Sequence, residues 1–143
     1  MARALLDTDI LSEVIKKKDA QVEAHATAYL AAEGRFTVSA FSVMEIVYGL
    51  HRVGREDRIT EFRSLIADHE ILTFHSSMAA TAGRIYADLE RAGTPIGLTD
   101  VMIAAIALHH NLPLVTGNRS HFHAVVRAGH PLELSDWREP PSP

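Results

Sequence analysis

The amino-acid sequence predicts one α/β domain in which a central, mainly parallel sheet of four to five strands lies between two layers of helices. Short apolar runs alternate along the chain with longer segments that carry apolar residues at helical spacing. This alternation is typical of parallel strands joined by crossover helices. The length of 143 residues corresponds to a single domain, and a hydrophobic content of 47% is sufficient for a buried core.

Five short segments are the candidate strands. The first, residues 4–8, is an apolar run that is too short for a helix and is typical of a buried parallel strand. Residues 70–74 alternate in polarity, which favours an edge strand. The complete set is 4–8, 36–39, 70–74, 113–116 and, with the weakest signal, 132–134.

The segments between the strands carry helix signals. Asp9 can cap a helix that begins at Ile10, and Asp19 can cap an alanine-rich helix that ends near Gly34. The helix that follows Thr99 is apolar almost all round, so we expect it to be central and buried. The other predicted helices follow the second strand as far as Gly54 and span residues 55–68 and 76–92.

Composition excludes several classes of protein. The chain has no cysteine, which excludes disulfides and thiolate metal sites and is compatible with a reducing compartment. It has no apolar run of the roughly 20 residues that cross a bilayer, and Asp7 follows too few apolar residues for a signal peptide. We therefore expect a cytoplasmic protein without a membrane segment, formed by a domain over residues 1–138 and a proline-rich, disordered tail over residues 139–143.

Three acidic residues, Asp7, Glu45 and Asp100, stand where predicted strands turn into helices. The C-terminal ends of parallel strands gather at one edge of a sheet, where ligands bind, so we expect these acids to meet there. Neighbouring carboxylates repel one another unless a cation neutralises them, and Mg²⁺ and Mn²⁺ are the hard cations suited to phosphate chemistry. The sequence therefore predicts a small metal-dependent phosphodiesterase. The net charge of −4 argues against a general nucleic-acid coat protein but not against such an enzyme.

Each acid also has a purely structural interpretation. Asp7 can end a strand, with Asp9 as the helix cap, whereas Glu45 can close a capping box that begins at Ser42. Asp100 can be favoured by the dipole at the start of its helix. The combination favours a metal site, because Asp7 lies in an otherwise apolar run and Asp100 begins the most apolar helix. An acid in either place needs a partner.

Nine histidines raise the alternative of a zinc hydrolase. The close pairs are His109-His110 and His121-Phe122-His123, there is no His-Glu-x-x-His pattern, and adjacent side chains on a helix point in different directions. Gly-x-Ser-x-Gly, P-loop and Gly-x-Gly-x-x-Gly patterns are also absent. The sequence thus disfavours a zinc hydrolase and gives no support for a serine hydrolase or a nucleotide-cofactor protein.

Four segments contain the acids and the polar residues around them: Leu6–Leu11, Ser42–Leu50, Pro95–Ala105 and Leu114–Phe122. In residues, order and spacing, these segments resemble the four motifs of the PIN-domain ribonucleases. The resemblance is closest to the VapC toxins of type II toxin–antitoxin pairs. It spans essentially the whole chain, and it implies the PIN-like three-layer fold.

The resemblance implies a role for each matching residue. Asp7, Glu45 and Asp100 correspond to acids that hold Mg²⁺ or Mn²⁺, with Glu45 bound directly or through water. At His121 many members of the family have Asp or Glu. A neutral His can bind Mn²⁺, can contact a phosphate or can be a plain surface residue. The residues that support the site in the family correspond to Thr8, Thr116 and Asn118.

The resemblance further implies a metal-dependent endoribonuclease that cleaves RNA as the toxin of a type II pair, forms a homodimer and binds a small antitoxin. We expect the antitoxin in a groove formed by two helices, one with Val14 and Ile15 and the other with Ile46, Val47, Leu50 and His51. Candidate contacts to the RNA backbone are Arg119 and the basic residues between Arg52 and Arg63. Two alternatives stay open: a catalytically weak binding module of the same fold, and an RNA-processing nuclease without an antitoxin.

Overall fold

In the computed structural model, which describes residues 3–140, five short strands form one sheet. They are β1 (Leu5–Leu6), β2 (Thr37–Ser39), β3 (Glu70–Leu72), β4 (Leu114–Val115) and β5 (Leu134–Ser135). All neighbouring strands are parallel, and their spatial order is β3-β2-β1-β4-β5. The predicted parallel sheet is confirmed, and the third strand lies at an edge as expected.

Seven helices accompany the sheet within the described residues. They are α1 (Thr8–Lys16), α2 (Ala20–Glu33), α3 (Ala40–Arg52), α4 (Glu56–Ile66), α5 (Ser76–Arg91), α6 (Leu98–His109) and α7 (Arg119–Arg127). The first six match predicted segments, whereas the sequence pattern predicts no helix at α7. None of the helices within residues 3–140 combines the length and the apolar character that crossing a membrane requires.

The side chains of β1 point alternately to the two faces of the sheet, as the pleat of a strand requires. Leu5 joins a core formed with α5, α6 and α7, whereas Leu6 joins a second core formed with α1, α2 and α4. Leu114 and Val115 of β4 divide between the two cores in the same way. Helices therefore cover both faces of the sheet, which confirms the three-layer α/β arrangement.

Helix α6 is the most deeply buried of the three helices, α5, α6 and α7, that cover one face of the sheet. Its buried residues are Val101, Ile103, Ala104, Ala105, Ile106 and Ala107. A helix that is apolar on all sides must lie inside the protein, so the predicted central position is confirmed. Because Asp100 lies in the first turn of this helix, its backbone position is fixed by the packing of the whole layer.

Asp7, and not Asp9, caps helix α1. The backbone of Asp7 is extended, and its carboxylate Oδ1 accepts a hydrogen bond of 2.8 Å from the N–H of Thr8. The prediction that Asp9 is the cap is wrong, because the helix begins at Thr8 and Asp9 already lies in its first turn. The cap of α2 is Asp19, as predicted.

Helix α3 is capped by Ser39, whose hydroxyl accepts a hydrogen bond of 3.2 Å from the N–H of Ser42. The capping box proposed for Ser42 and Glu45 therefore does not form. Since α3 begins directly after β2, its first turn is held at the C-terminal edge of the sheet. This position leaves the Glu45 side chain free for other contacts.

The segment after β5 is anchored by the single tryptophan of the chain, Trp137, which is 3% exposed. Its ring lies 5.5 Å from that of Tyr29 and 6.3 Å from that of Phe36, measured between ring centroids. The His25 ring stacks on it at 5.8 Å with an interplanar angle of 4°. Trp137 thereby ties the C-terminal segment to α2.

Glu139 continues this segment and has partners of its own. Its carboxylate accepts hydrogen bonds of 2.9 and 3.3 Å from the guanidinium of Arg119, and its backbone carbonyl lies 2.8 Å from Nε2 of His25. Of the tail expected over residues 139–143, residues 141–143 lie outside the described part of the chain. Within that part, the chain is held against the domain as far as Glu139.

Replacement of Trp137 by alanine should lower the free energy of unfolding by about 3–5 kcal/mol, because it removes a buried aromatic ring and leaves a cavity beside Tyr29 and Phe36. Urea unfolding followed by far-ultraviolet circular dichroism measures this, since the variant has no tryptophan fluorescence. Leu98→Ala is the control, because Leu98 is 55% exposed and its loss should cost less than about 0.5 kcal/mol. Equal effects of the two substitutions would contradict an anchoring role.

Candidate active site

The ends of two central strands bring Asp7 and Thr116 together. Asp7 follows β1 and Thr116 follows β4, and in this parallel pair Leu6 lies opposite Val115. Asp7 is 5% exposed. Its Oδ2 accepts a hydrogen bond of 2.8 Å from the hydroxyl of Thr116, while Oδ1 is held by the N–H of Thr8. Both oxygens of this buried carboxylate therefore have a donor.

The surroundings of Asp7 nevertheless disfavour its ionised form. Burial, the largest effect, and then the carboxylates of Asp9 and Asp100 raise the pKa of Asp7 from 3.8 to about 7. The hydrogen bonds from Thr116 and Thr8 lower the pKa by less than this increase. A carboxylate with such a pKa lacks a compensating positive charge, which a bound cation would supply.

Thr8 links the start of α1 to Glu45 and Ser42 of α3. Its Oγ1 lies 2.6 Å from Oε1 of Glu45 and 2.8 Å from Oγ of Ser42. A hydroxyl has one proton, and a carboxylate only accepts, so Thr8 donates to Glu45 and Ser42 donates to Thr8. The buried Ser42 hydroxyl thus fixes the direction in which Thr8 holds the Glu45 carboxylate.

Asp100, His121 and Asn118 form the opposite side of the site. Nδ1 of His121 lies 2.8 Å from Nδ2 of Asn118 and 3.5 Å from Oδ2 of Asp100. Nδ1 of His121 is thus within reach of both an amide and a carboxylate, and it joins Asn118 to Asp100 in one contact network.

Asp9 binds a different set of groups from Asp7. Its Oδ1 accepts from the N–H of Ile10 at 2.8 Å, and its Oδ2 accepts from the N–H of Gly117 at 2.9 Å and from Nη2 of Arg138 at 2.8 Å. Burial raises the pKa of Asp9, while the Gly117 N–H and the Arg138 charge counteract that effect. Asp9 thus joins the first turn of α1 to the turn after β4 and to the C-terminal segment.

The structure brings the predicted site residues into one continuous hydrogen-bonded series. It runs from Glu45 through Thr8, Asp7, Thr116, Asn118 and His121 to Asp100. The sequence reasoning missed Ser42 and Arg138. The signal for Ser42 was its position three residues before Glu45, on the same face of a helix. Arg138 has no such signal, because 129 positions separate it from Asp9.

A model of the PIN domain matches residues 4–127, which is most of the chain. The chain belongs to the PIN-domain family. The tRNA(fMet)-specific endonuclease VapC of Shigella flexneri is 30% identical over 138 residues, which cover 96% of this chain and 99% of that protein. Ribonuclease VapC2 of Haemophilus influenzae is 31% identical over 138 residues, with the same coverage of 96% and 99%. The resemblance noted in the four motifs is thus confirmed.

The fold of this PIN domain is shared with a solved toxin–antitoxin complex. The VapBC structure from Salmonella typhimurium, determined with bound DNA, matches with a TM-score of 0.80 and 29% sequence identity. The match covers 96% of this chain and 99% of that chain. The likeness therefore extends over the whole domain, including the strand ends that position Asp7 and Thr116.

The donor atoms at the sheet edge of this PIN domain suit a hard divalent cation. Within residues 3–140, no three His, Asp or Glu side chains are grouped closely enough to enclose a metal ion by themselves. Mg²⁺, however, keeps several waters and is bound through one or two carboxylates together with substrate phosphates. Asp7 and Asp100 supply such a pair, since the charge of Asp100 already bears on Asp7.

A groove of about 660 Å³ lies between α1, α3 and α4 and ends at Thr8 and Glu45. Of the predicted partner-binding residues, Ile15, Ile46 and Leu50 line it. The others do not: Val14 lines an adjoining cavity of about 260 Å³, Val47 packs against the core, and His51 pairs with Glu56. The sequence did not predict the contribution of α4, which lines the groove with Arg58, Glu61, Phe62 and Leu65.

Several of the predicted RNA-contact residues are engaged within the chain. Arg119 bonds to Glu139, and Arg55 bonds to Asp57 at 3.2 and 3.1 Å. Arg58 lines the groove rather than the acidic site. The positive charges of Arg119 and Arg55 are therefore already paired with carboxylates of the protein itself.

The pKa of Asp7 predicts how stability depends on pH in EDTA. The folded chain retains a proton that the unfolded chain releases between pH 3.8 and about 7. The free energy of unfolding should therefore fall as the pH rises through this window and stay lowered above it. Asp7→Asn removes this effect, so its stability relative to the parent should rise between pH 4 and pH 7 by up to about 4 kcal/mol.

Urea unfolding at several pH values measures this difference in the free energy of unfolding. The control is Asp68→Asn, which removes the same charge at an exposed position. The asparagine retains an acceptor for the Thr8 N–H and a donor toward Thr116, whose hydroxyl can also accept. A difference between Asp7→Asn and the parent that stays constant across the window would contradict the raised pKa.

Proposed function

We propose that this chain is a Mg²⁺- or Mn²⁺-dependent endoribonuclease that acts in the cytoplasm, where its RNA substrate is found, as the toxin of a type II toxin–antitoxin pair. The main support is the buried Asp7 carboxylate, whose pKa is raised by burial and by two neighbouring acids at the end of the central strand. A carboxylate in this state favours a divalent cation. The relatives from Shigella flexneri and Haemophilus influenzae, which are named as an endonuclease and a ribonuclease, support RNA as the substrate.

In this proposal, Asp7 and Asp100 bind the metal directly, and Glu45 binds it directly or through water. The bound cation would lower the pKa of a water molecule and offset the negative charge that develops on the phosphodiester. Thr116 holds Oδ2 of Asp7 by its hydroxyl. Thr8, fixed by Ser42, holds Oε1 of Glu45.

His121 determines how many cations the site favours. Many members of the family have an acid at this position, and a second carboxylate would favour a second metal ion. Here an imidazole occupies the position instead, and Asn118 contacts its Nδ1 at 2.8 Å, which leaves Nε2 available for a ligand. We therefore assign one metal ion to the acids and assign to Nε2 of His121 a contact with a phosphate oxygen.

We further propose that the groove between α1, α3 and α4 binds an apolar segment of a small antitoxin. The Salmonella relative was solved as a VapBC complex, which supports a protein partner. The groove ends at Glu45, so an arginine of the partner could reach the acids and supply the positive charge that the cation supplies otherwise. Such an occupant would inhibit the enzyme by displacing its metal ion.

A homodimer is also proposed. Met44 and Tyr48 are four residues apart on α3 and are 50% and 61% exposed, so they form an apolar strip on one side of the helix. A second copy of the chain would cover this strip. Sedimentation of the free protein tests this point.

Asp7→Asn and Asp100→Asn should each reduce RNA cleavage about a hundredfold or more, because each removes a charge on which the metal depends. The assay is the cleavage of a mixed RNA pool that includes tRNA, with Mn²⁺ or Mg²⁺ and with EDTA. Asp68→Asn, which changes an exposed acid, should cleave like the parent.

Thermal unfolding with Mn²⁺ provides a second measurement that does not depend on the RNA target. Mn²⁺ should raise the melting temperature of the parent and of Asp68→Asn more than that of either site variant. Parent-like turnover by Asp7→Asn or Asp100→Asn would exclude the site assignment. A parent that neither cleaves RNA nor responds to Mn²⁺ would favour the binding module instead.

Leu65→Arg should weaken binding of the small protein encoded by the neighbouring gene about tenfold or more and should leave RNA cleavage unchanged. Leu65 lines the groove and is 44% exposed, so the arginine blocks the groove without disturbing the core. Val126→Arg, at a position that is 38% exposed on α7, is the control. Hydrogen exchange of the complex should show protection in α1 and α3, and protection confined to the edge strands would contradict this surface.

A further inference from the structure

The C-terminal strap, residues 136–139, places an arginine beside the acids. Trp137 anchors the strap in the core, and Glu139 anchors it on Arg119. Between these two anchors, Nη2 of Arg138 donates to Oδ2 of Asp9 at 2.8 Å, and the backbone N–H of Arg138 donates to Asp136 at 2.9 Å. The guanidinium is therefore held in one place rather than moving freely at the surface.

Gly117 shows how closely this guanidinium approaches the site. A Cβ atom at Gly117 would overlap Nη2, Cζ and Nε of Arg138. The arginine thus packs directly on the backbone of the turn after β4. The residue before this glycine is Thr116, whose hydroxyl holds Asp7. Arg138 consequently lies beside the turn whose Thr116 holds Asp7.

Most of the hydrogen-bonding capacity of Arg138 is unused. A guanidinium has five N–H donors. Within the described part of the chain, one donor on Nη2 bonds to Asp9, and the other four bond to no protein acceptor. The side chain is 44% exposed. The guanidinium packs on Gly117 and keeps unused donors on a side chain that is partly open to solvent.

Arg119 makes a useful comparison, because it also lies near the strap. Both of its Nη atoms bond to the carboxylate of Glu139. Each of the two arginines pairs with one carboxylate, but at Arg119 both Nη atoms are used and the planar donor edge is occupied. Of the two arginines, Arg138 is the one with donors to offer a ligand.

The chemistry of the site indicates which ligand these donors fit. Acids repel a polyanion, and a metal ion at Asp7 and Asp100 would offset the charge of one phosphate only. A neighbouring phosphate needs a separate cation. A planar guanidinium with two adjacent donors matches the oxygens of a phosphate group, and its fixed position reduces the entropy lost on binding.

We propose that Arg138 binds the backbone phosphate that neighbours the scissile phosphate of the RNA, on the β4 side of the metal site. The inference rests on the proposed nuclease function. The competing interpretation is that Arg138 only holds Asp9 and the turn after β4 in place. In that case its removal would affect folding and metal binding, and not the contact with RNA specifically.

The test compares Arg138→Gln and Arg138→Lys with Arg84→Gln, which removes an exposed arginine from α5 on the far layer. With Mn²⁺ and bulk tRNA as the probe, Arg138→Gln should raise KM about tenfold or more, since it removes a charge-assisted hydrogen bond, and should change kcat little. Arg138→Lys should recover part of the loss, because it restores the charge but not the planar donor pair. Arg84→Gln should behave like the parent.

RNA binding supplies a measurement that a purely structural role would not change. In the Asp100→Asn background, Arg138→Gln should reduce the slope of the logarithm of affinity against the logarithm of salt concentration by about 0.7, as expected for one lost phosphate contact on a single strand. Without the Asp100→Asn change, Arg138→Gln should leave the Mn²⁺-induced shift in melting temperature as in the parent. Asp9→Asn identifies the structural alternative, because it removes the carboxylate charge that pairs with Arg138 but leaves the guanidinium charge.

The outcomes separate this inference from the proposed function. A parent that does not cleave RNA with Mn²⁺ contradicts the nuclease itself. A parent that cleaves, together with an Arg138→Gln variant whose KM and salt slope match those of Arg84→Gln, overturns the role of Arg138 alone. Equal losses of stability and Mn²⁺ response in Arg138→Gln and Asp9→Asn, with no change in salt slope, would also overturn it.

Discussion

The burial of one carboxylate at the end of the central strand constrains the rest of the site. β1 has a parallel neighbour on each side, so the residue that follows it lies between two other strand ends. A buried carboxylate must be hydrogen-bonded, and here the donors are the Thr8 N–H and the Thr116 hydroxyl. These two bonds fix where α1 starts and how the turn after β4 is oriented. Glu45 of α3 then meets α1 through the Thr8 hydroxyl, whereas Asp100 is positioned by the burial of α6.

Residues in the first turn of α1 contact the elements on both sides of β1. Thr8 turns toward α3, where Ser42 and Glu45 engage its hydroxyl. Asp9 turns toward the turn after β4, where Gly117 and Arg138 donate to it. One helical turn therefore places a carboxylate on one side of the proposed metal and a cation on the other.

Sequence periodicity predicted the elements whose signals are local. Leu5 and Leu6 each lie in a core, so the first strand is a continuous apolar run in the sequence. Helix α6 is apolar on all sides, which also shows in the sequence. Helix α7 escaped prediction because its buried residues are interrupted by polar histidines within only nine residues. The contact of Arg138 with Asp9 spans 129 positions and belongs to no motif. Local patterns thus located the acids, whereas the groups that satisfy or balance them depend on long-range packing.

The raised pKa of Asp7 connects the chemistry of this site with its inhibition. The carboxylate lacks positive charge, and three agents can supply it: a proton, a divalent cation, or an arginine from a partner in the groove that ends at Glu45. Each of the three supplies positive charge near the same carboxylate. They therefore compete with one another, even where they have no contact in common. Arg138 does not enter this competition, because its bond is to Asp9, and it leaves Asp7 free. A fixed positive charge beside Asp9 can therefore favour RNA without displacing the cation, whereas the same charge placed on Asp7 would inhibit the enzyme.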